Sequence, residues 1–202
     1  MPQKTYRQVY QFRIALIGIL PYVWRRIQVP ETYTFWDLHV AIQDAMGWKD
    51  CRLHMFYIPE PSTGKLIRMC LPSKELYHSA TTKVEYQEKI ANWFTLENNQ
   101  ATYIYDPGNG WRHEIKLEKI LPRATGIKYP VCTHGMRGCP PEDSGGPHQY
   151  MTLLEAINNP FHQRHDEFIN KVDKDFDPEY FDPRKIVFSN PAKRLKTALK
   201  YL

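Results

Sequence analysis

Residues 129–150, YPVCTHGMRGCPPEDSGGPHQY, gather two cysteines, two histidines, two acids, four glycines and four prolines. Such a stretch reads as irregular backbone, neither helix nor strand. Three readings of its chemistry are open. As a metal site, Cys132, Cys139, His134 and His148 offer the thiolates and imidazoles that four-coordinate zinc takes, although the six residues between the cysteines exceed a CxxC knuckle. As an anion cradle, Ser144, Gly145 and Gly146 could present backbone amides, but Glu142 and Asp143 beside them repel phosphate and no Gly-Lys-Ser/Thr loop is present. As a structural clasp, Cys132 packs beside a sheet, Pro140 and Pro141 stiffen the loop, and one acid accepts backbone amides to pin it. The clasp is the preferred reading.

A second constellation is His39, His54 and His113, with Glu114 or Asp106 near the last of them. If their elements pack together, the three imidazoles could form a catalytic or metal cluster. Strand register decides this, because a slip of one residue sends a side chain to the other face. Arg25 and Arg26 are adjacent and must point to opposite faces of a strand. The inward one needs a partner, with Asp37 or Glu114 as candidates.

The elements that would position these groups follow from periodicity. VYQFRIALIGI and LPYVWRRIQVP alternate and form two strands of a hairpin. TFWDLHVAIQDAMGW is an amphipathic helix: Thr34 and Asp37 suit a capping box, Phe35, Leu38, Ile42, Ala45 and Met46 share a face, and Gly47 stops it. CRLHMFYI is a third strand, and residues 59–92 read as turn, loop and helix. QATYIYDPGNGWRHEIKLEKIL is a hairpin around DPGNG. This order predicts an α+β fold, a mostly antiparallel sheet with a helix packed across it as a β-grasp-like roll. Residues 1–121 form that core. Residues 122–202 supply the proline-glycine clasp and a C-terminal helical lobe packed on it, one domain overall. In the lobe, QYMTLLEAINNP is helical, FHQRHDEFINKVDKDF is helical with Phe161, His165, Phe168 and Val172 on one stripe, and NPAKRLKTALKYL closes the chain as a helix.

The chain has 202 residues, 42% hydrophobic and 24% charged, with a formal charge of +5. This is an ordinary balance for a globular chain that needs no staples. The basic tail residues Lys193, Arg194, Lys196 and Lys200 suit the C-terminal end of a solvated helix. The first residues lack the apolar core of a signal peptide, and the longest apolar run, IALIGILPYVW, is well short of the ~20 residues of a membrane span. The expectation is a cytoplasmic protein in a reducing compartment, with Cys51, Cys70, Cys132 and Cys139 as thiols.

Three stretches in order, LPYVWRRIQVPETYTFWDLHVAIQDAMGW, YDPGNGWRHEI and YPVCTHGMRGCPPEDSGGPHQY, resemble the plasmid pRiA4b ORF-3-like family over nearly the whole chain. The resemblance implies a shared fold and a neighbourhood of plasmids and insertion elements in bacteria and archaea, and it brings no established reaction. Two departures stand out. Where the family tends to read Asp-Phe-Gly-Asp-Asp-Trp, residues 106–111 read DPGNGW, and Ser144 stands where a third cysteine is common. Both count against an acid-rich or three-cysteine metal site here.

Recombinase labels sometimes attached to such proteins find no support. No serine precedes Ser62, the Arg137, His162, Arg164 and Tyr180 set lacks a helical frame, and the element order gives no ribonuclease-like parallel sheet. The preferred function is therefore a non-catalytic binding or accessory module of mobile genetic elements. Its partner is macromolecular, with nucleic acid as the candidate, and no cofactor is needed. Trp48-Lys49 and Trp111-Arg112, together with Glu142 and Asp143, are its candidate contacts. The alternative is a zinc-assisted hydrolase built on the histidines and the 132–148 loop.

Overall fold

A computed structural model describes residues 5–72, 79–170, 172–173 and 175–200. Strands β1 (Gln8–Leu16) and β2 (Trp24–Pro30) form the expected hairpin, in register from Val9↔Pro30 to Ala15↔Trp24. Helix α1 (Phe35–Met46) follows. Its start is a complete capping box: Thr34 Oγ1 accepts from the Asp37 amide at 3.2 Å, and Asp37 Oδ2 accepts from the Thr34 amide at 2.9 Å. Two orphan helix donors are thereby satisfied. Gly47 ends the helix at φ +80°, a left-handed conformation that glycine adopts without steric cost.

The remaining strands are β3 (His54–Pro59), β4 (Leu66–Cys70), β5 (Thr82–Val84), β6 (Gln100–Tyr105), β7 (Trp111–Pro122) and β8 (Val131–Met136). They join β1 and β2 in one eight-stranded sheet of order β5-β4-β3-β6-β7-β1-β2-β8. Every ladder is antiparallel except β4–β5 at one edge. Four antiparallel steps separate β2 from β3, so these strands run the same way and α1 carries the chain across the inner face between them. Phe12, Ile14, Ile27, Phe56, Tyr103 and Ile115 line that face, essentially without solvent exposure, beneath Phe35, Leu38 and Ile42 of α1. Each such side chain contributes roughly 1.5–3 kcal/mol by leaving water. The fold is α+β.

Three expectations are corrected. Residues 131–136 are not irregular: they pair with the free edge of β2, whose ladder groups supply the partners that an isolated Gly-containing segment lacks. The 59–92 stretch contributes strands β4 and β5 where loop and helix were expected, and residues 73–78 of it lie outside the described residues. In the 161–176 stretch, of which 171 and 174 lie outside the described residues, only His165–Ile169 (α3) is helical. Phe161 is 95% exposed, whereas Phe168 and Val172 do pack on the core. Turns at Asn159 and His162 break the periodic stripe before α3 starts.

Beyond β8 the proline-glycine stretch continues as a strap over residues 137–145. Helix α2 (Gly146–Asn158) begins where the strap crosses the β6–β7 turn. A Cβ on Gly146 would lie 2.1 Å from the Asn109 carbonyl oxygen, and its φ is +89°. The C-terminal helix α4 (Pro191–Ala198) starts at Asn190, whose side chain accepts from the Lys193 amide, and it docks on α1. Among the described residues no helix is long and apolar enough to cross a membrane.

Candidate functional site

The registers Phe56↔Tyr103 and Tyr103↔His113 put His54 and His113 on the same inner face, beneath His39 of α1. Two of the three converge. The His39 and His54 rings stack with centroids 3.4 Å apart. Their carboxylate partners are Asp50, 2.8 Å from His39 Nε2, and the fully buried Glu85, 2.9 and 3.0 Å from His54 Nε2. Neither Glu114 nor Asp106, the acids expected there, takes part. Glu114 is exposed on the opposite face, and Asp106 sits in the β6–β7 turn, 3.7 Å from Arg52.

The hydrogen-bond order assigns the His39 tautomer. Gln43 Nε2 donates to the Tyr103 hydroxyl at 2.8 Å, so that hydroxyl donates onward to His39 Nδ1 at 2.8 Å, and Nε2–H faces Asp50. Burial, reinforced by the neighbouring His54, pushes the His39 pKa down to about 4. Burial also works to raise the Asp50 carboxyl, but His39 and then Arg194 hold it down at about 2. His113 stands apart, packed against Tyr103 at 5.2 Å and Trp48 at 5.3 Å; its ring nitrogens have no well-aligned partner, and burial pushes its pKa down to about 3.

Among the described residues, His39, Asp50 and His54 are the one group whose donor atoms are close enough to share an ion. An imidazole binds metal through a lone pair in its ring plane. An ion cannot lie in two nearly parallel planes that far apart, so the stacked pair does not fit a shared ion without turning a ring. With both rings buried, the cluster offers no surface to a substrate. It is a buried polar network that ties α1 to the sheet.

The cysteine and histidine set of the strap does not assemble either. Cys132 belongs to the hydrophobic core, Cys139 lies under Arg25 with burial pushing its thiol up to about 12, His134 faces out from β8, and His148 is exposed on α2. Glu142 accepts from the Lys49 amide at 3.1 Å and from the Tyr105 hydroxyl, and Asp143 pairs with Arg52 at 3.1 Å. These acids pin the strap and are not free for a ligand. Nor are the tryptophans surface contacts: Trp48 is 6% exposed and donates to the Pro140 carbonyl, and Trp111 is fully buried. Lys49, Arg112 and Asp143 are the exposed members of that set. Apolar area outweighed the adjacent basic residue in both Trp–basic pairs.

Arg25 and Arg26 do point oppositely, with partners the sequence did not reveal. Arg25, 2% exposed, donates to the Ala45, Trp24 and Met136 carbonyls at 2.9–3.0 Å and lies 3.8 Å over the Phe181 ring; no carboxylate among the described residues is involved. Arg26 faces out and forms a two-pronged pair with Glu118 at 2.6 and 2.8 Å.

Around that pair lies the feature the sequence reading missed. On the face away from α1, cross-strand partners make a continuous row, Gln100↔Lys116↔Arg13↔Arg26↔His134, across β6, β7, β1, β2 and β8. Like charges directly opposite each other weaken a sheet, and here Lys116, Arg13 and Arg26 stand side by side. Two β-bulges frame the row, one at Glu118 in β7 and one at Thr133 in β8. Each turns two consecutive residues to the same side, so Glu118 and Lys119, like Thr133 and His134, all line one trough of about 890 Å³. Glu118 is held by Arg26 and Gln11, which leaves Arg13, Lys116 and Lys119 without a carboxylate at ion-pair distance among the described residues. Trp24 lies beside the row, 5.5 Å from the Arg13 guanidinium and 5.3 Å from that of Arg26.

The profile of plasmid pRiA4b ORF-3-like proteins matches residues 8–185. The chain belongs to this family. Proteins similar to it include the uncharacterized protein y4hQ of Sinorhizobium fredii (strain NBRC 101917 / NGR234), 33% identical over 162 residues, or 79% of this chain and 78% of that one. A crystal structure of a protein of unknown function, MM3350 from Methanosarcina mazei Go1, is 43% identical with a TM-score of 0.86, covering 91% of this chain and all of the other. The family match includes all eight strands and stops before α4.

Proposed function

We propose that the protein is a non-catalytic accessory module of mobile genetic elements whose outer sheet face binds nucleic acid. The observation that carries this reading is the Lys116–Arg13–Arg26–His134 row. Arg26 is held by Glu118, but the fold gains nothing from setting Lys116 opposite Arg13, whereas a polyanion laid over them gains from both. The buried histidines support a non-catalytic role, because the groups best suited to acid–base work are spent inside the core. Family membership supports the setting in mobile DNA.

The test is anisotropy of a labelled oligonucleotide at rising salt, with wild type and R13E/K116E. Counterion release predicts a log–log slope of about −0.7 to −0.9 per phosphate neutralised. The double variant is expected to bind at least about tenfold more weakly with a shallower slope. A flat titration of wild type at low salt would rule the reading out.

A further inference from the structure

We infer that the occupant of the outer face is a single strand, its phosphates on Lys116, Arg13 and Lys119 and a base stacked on Trp24. This rests on the nucleic-acid reading above and narrows it. The chain has five tryptophans, and four are core residues: Trp36, Trp48, Trp93 and Trp111 are 0–6% exposed. Trp24 alone is kept on the outer face, half-buried, where its ring gains little from the core. Across the ladder from it stand Ala15 and Met136, the latter 51% exposed, so the surroundings of the ring are low on one side and soft on the other.

A duplex hides its base faces and is read through its grooves by an inserted helix or ribbon. The outer face presents neither among the described residues. It presents a shallow trough, a row of cations spanning two strand spacings (about 9.5 Å), and one aromatic plane beside them. Sequence-tolerant single-strand binders combine those two elements, a cationic track for the backbone and an aromatic for the bases. A second apolar cavity of about 760 Å³ shares Arg13 and Glu114 with the trough and is lined by Ile17, Leu20 and Tyr22 of the β1–β2 hairpin tip. Tyr22, 57% exposed, extends the track beyond the row.

The experiment compares a thymidylate oligonucleotide, a hairpin duplex of equal charge, and heparin, a polyanion without bases, against the full chain and Trp24→Leu at low salt. Intrinsic fluorescence is read alongside affinity; with the other four indoles buried, a change reports Trp24. The expected result is quenching by the oligonucleotide alone, lost in Trp24→Leu together with about tenfold or more of its affinity. Duplex and heparin are expected to bind more weakly and to be indifferent to the substitution. Equal single-strand and duplex affinities with Trp24→Leu unchanged would overturn the single-strand inference and leave the nucleic-acid reading standing. Binding of heparin alone, or of none of the three, would overturn both. Thermal unfolding of Trp24→Leu, a substitution on the solvent side of the sheet, separates lost stacking from lost fold.

Discussion

The imidazoles of His39 and His54 lie face to face, their planes 4° from parallel, each held edge-on by its own carboxylate, Asp50 or Glu85. Two positive charges cannot share that spacing out of water, so the His39 ring enters the core neutral. The arrangement makes the folded state reluctant to take up protons.

Stability is therefore expected to fall in acid. The folded pKa values, about 4 for His39 and about 3 for His113, lie below the ~6.5 of an unfolded histidine. Below pH ~6.5 the unfolded chain takes up the proton first. The contribution is fully present above that pH and is lost as pH falls toward the folded values. Each histidine adds a slope of up to about 1.4 kcal/mol per pH unit in this window. Urea midpoints between pH 7.5 and 4.5 measure it. Replacing His113, whose nitrogens lack good partners, by Phe is expected to remove one of the two slopes at little cost near neutrality. Midpoints independent of pH would contradict this account.

Gly146→Ala is expected to be severe. The new Cβ would meet the Asn109 carbonyl oxygen at 2.1 Å, backbone against backbone, at φ +89°. Gly64 has φ +70° but open space around it, so Gly64→Ala carries the dihedral strain alone, about 1 kcal/mol. Thermal denaturation of the two variants side by side isolates the contact between strap and hairpin, and the expected ordering is a far larger loss at residue 146.

Helix α4 is held by polar groups, with no buried residue of its own. Arg194 reaches Asp44 at 2.9 Å and Asp50 at 2.7 Å, and Trp36 Nε1 donates to the Pro191 carbonyl at 2.9 Å. Arg194→Ala is expected to cost about 1.5–3 kcal/mol of docking. Hydrogen exchange would then rise over residues 191–198 while the amides of β1 and β7 stay protected. Uniform loss of protection would show instead that α4 is integral to the global fold.

Local features were legible because their partners lie close along the chain. Thr34 and Asp37 are three residues apart and closed the capping box as read; Gly47 ended the helix; DPGNG closed the β6–β7 hairpin. Period-two alternation correctly separated Arg25 from Arg26. Their partners were not legible. Glu118 is 92 residues from Arg26 and reaches it only through a bulge, and Arg25 is satisfied by carbonyls, which every residue carries and no sequence marks. Strand β8 was hidden for a related reason: its residues form a weak strand alone and pair because β2 offers an open edge.

From its sequence alone this protein was determined to be an α+β chain, with a helix laid over a mostly antiparallel sheet. Those properties follow from short-range dihedral preference and hydrophobic period. Tertiary structure alone decided which histidines meet, which tryptophans are buried, and that three cations from β7, β1 and β2 stand in one row. Such relationships depend on register and bulges across strands distant in the chain. A shift of one residue reverses every side chain on a strand, and nothing within a single strand records the shift.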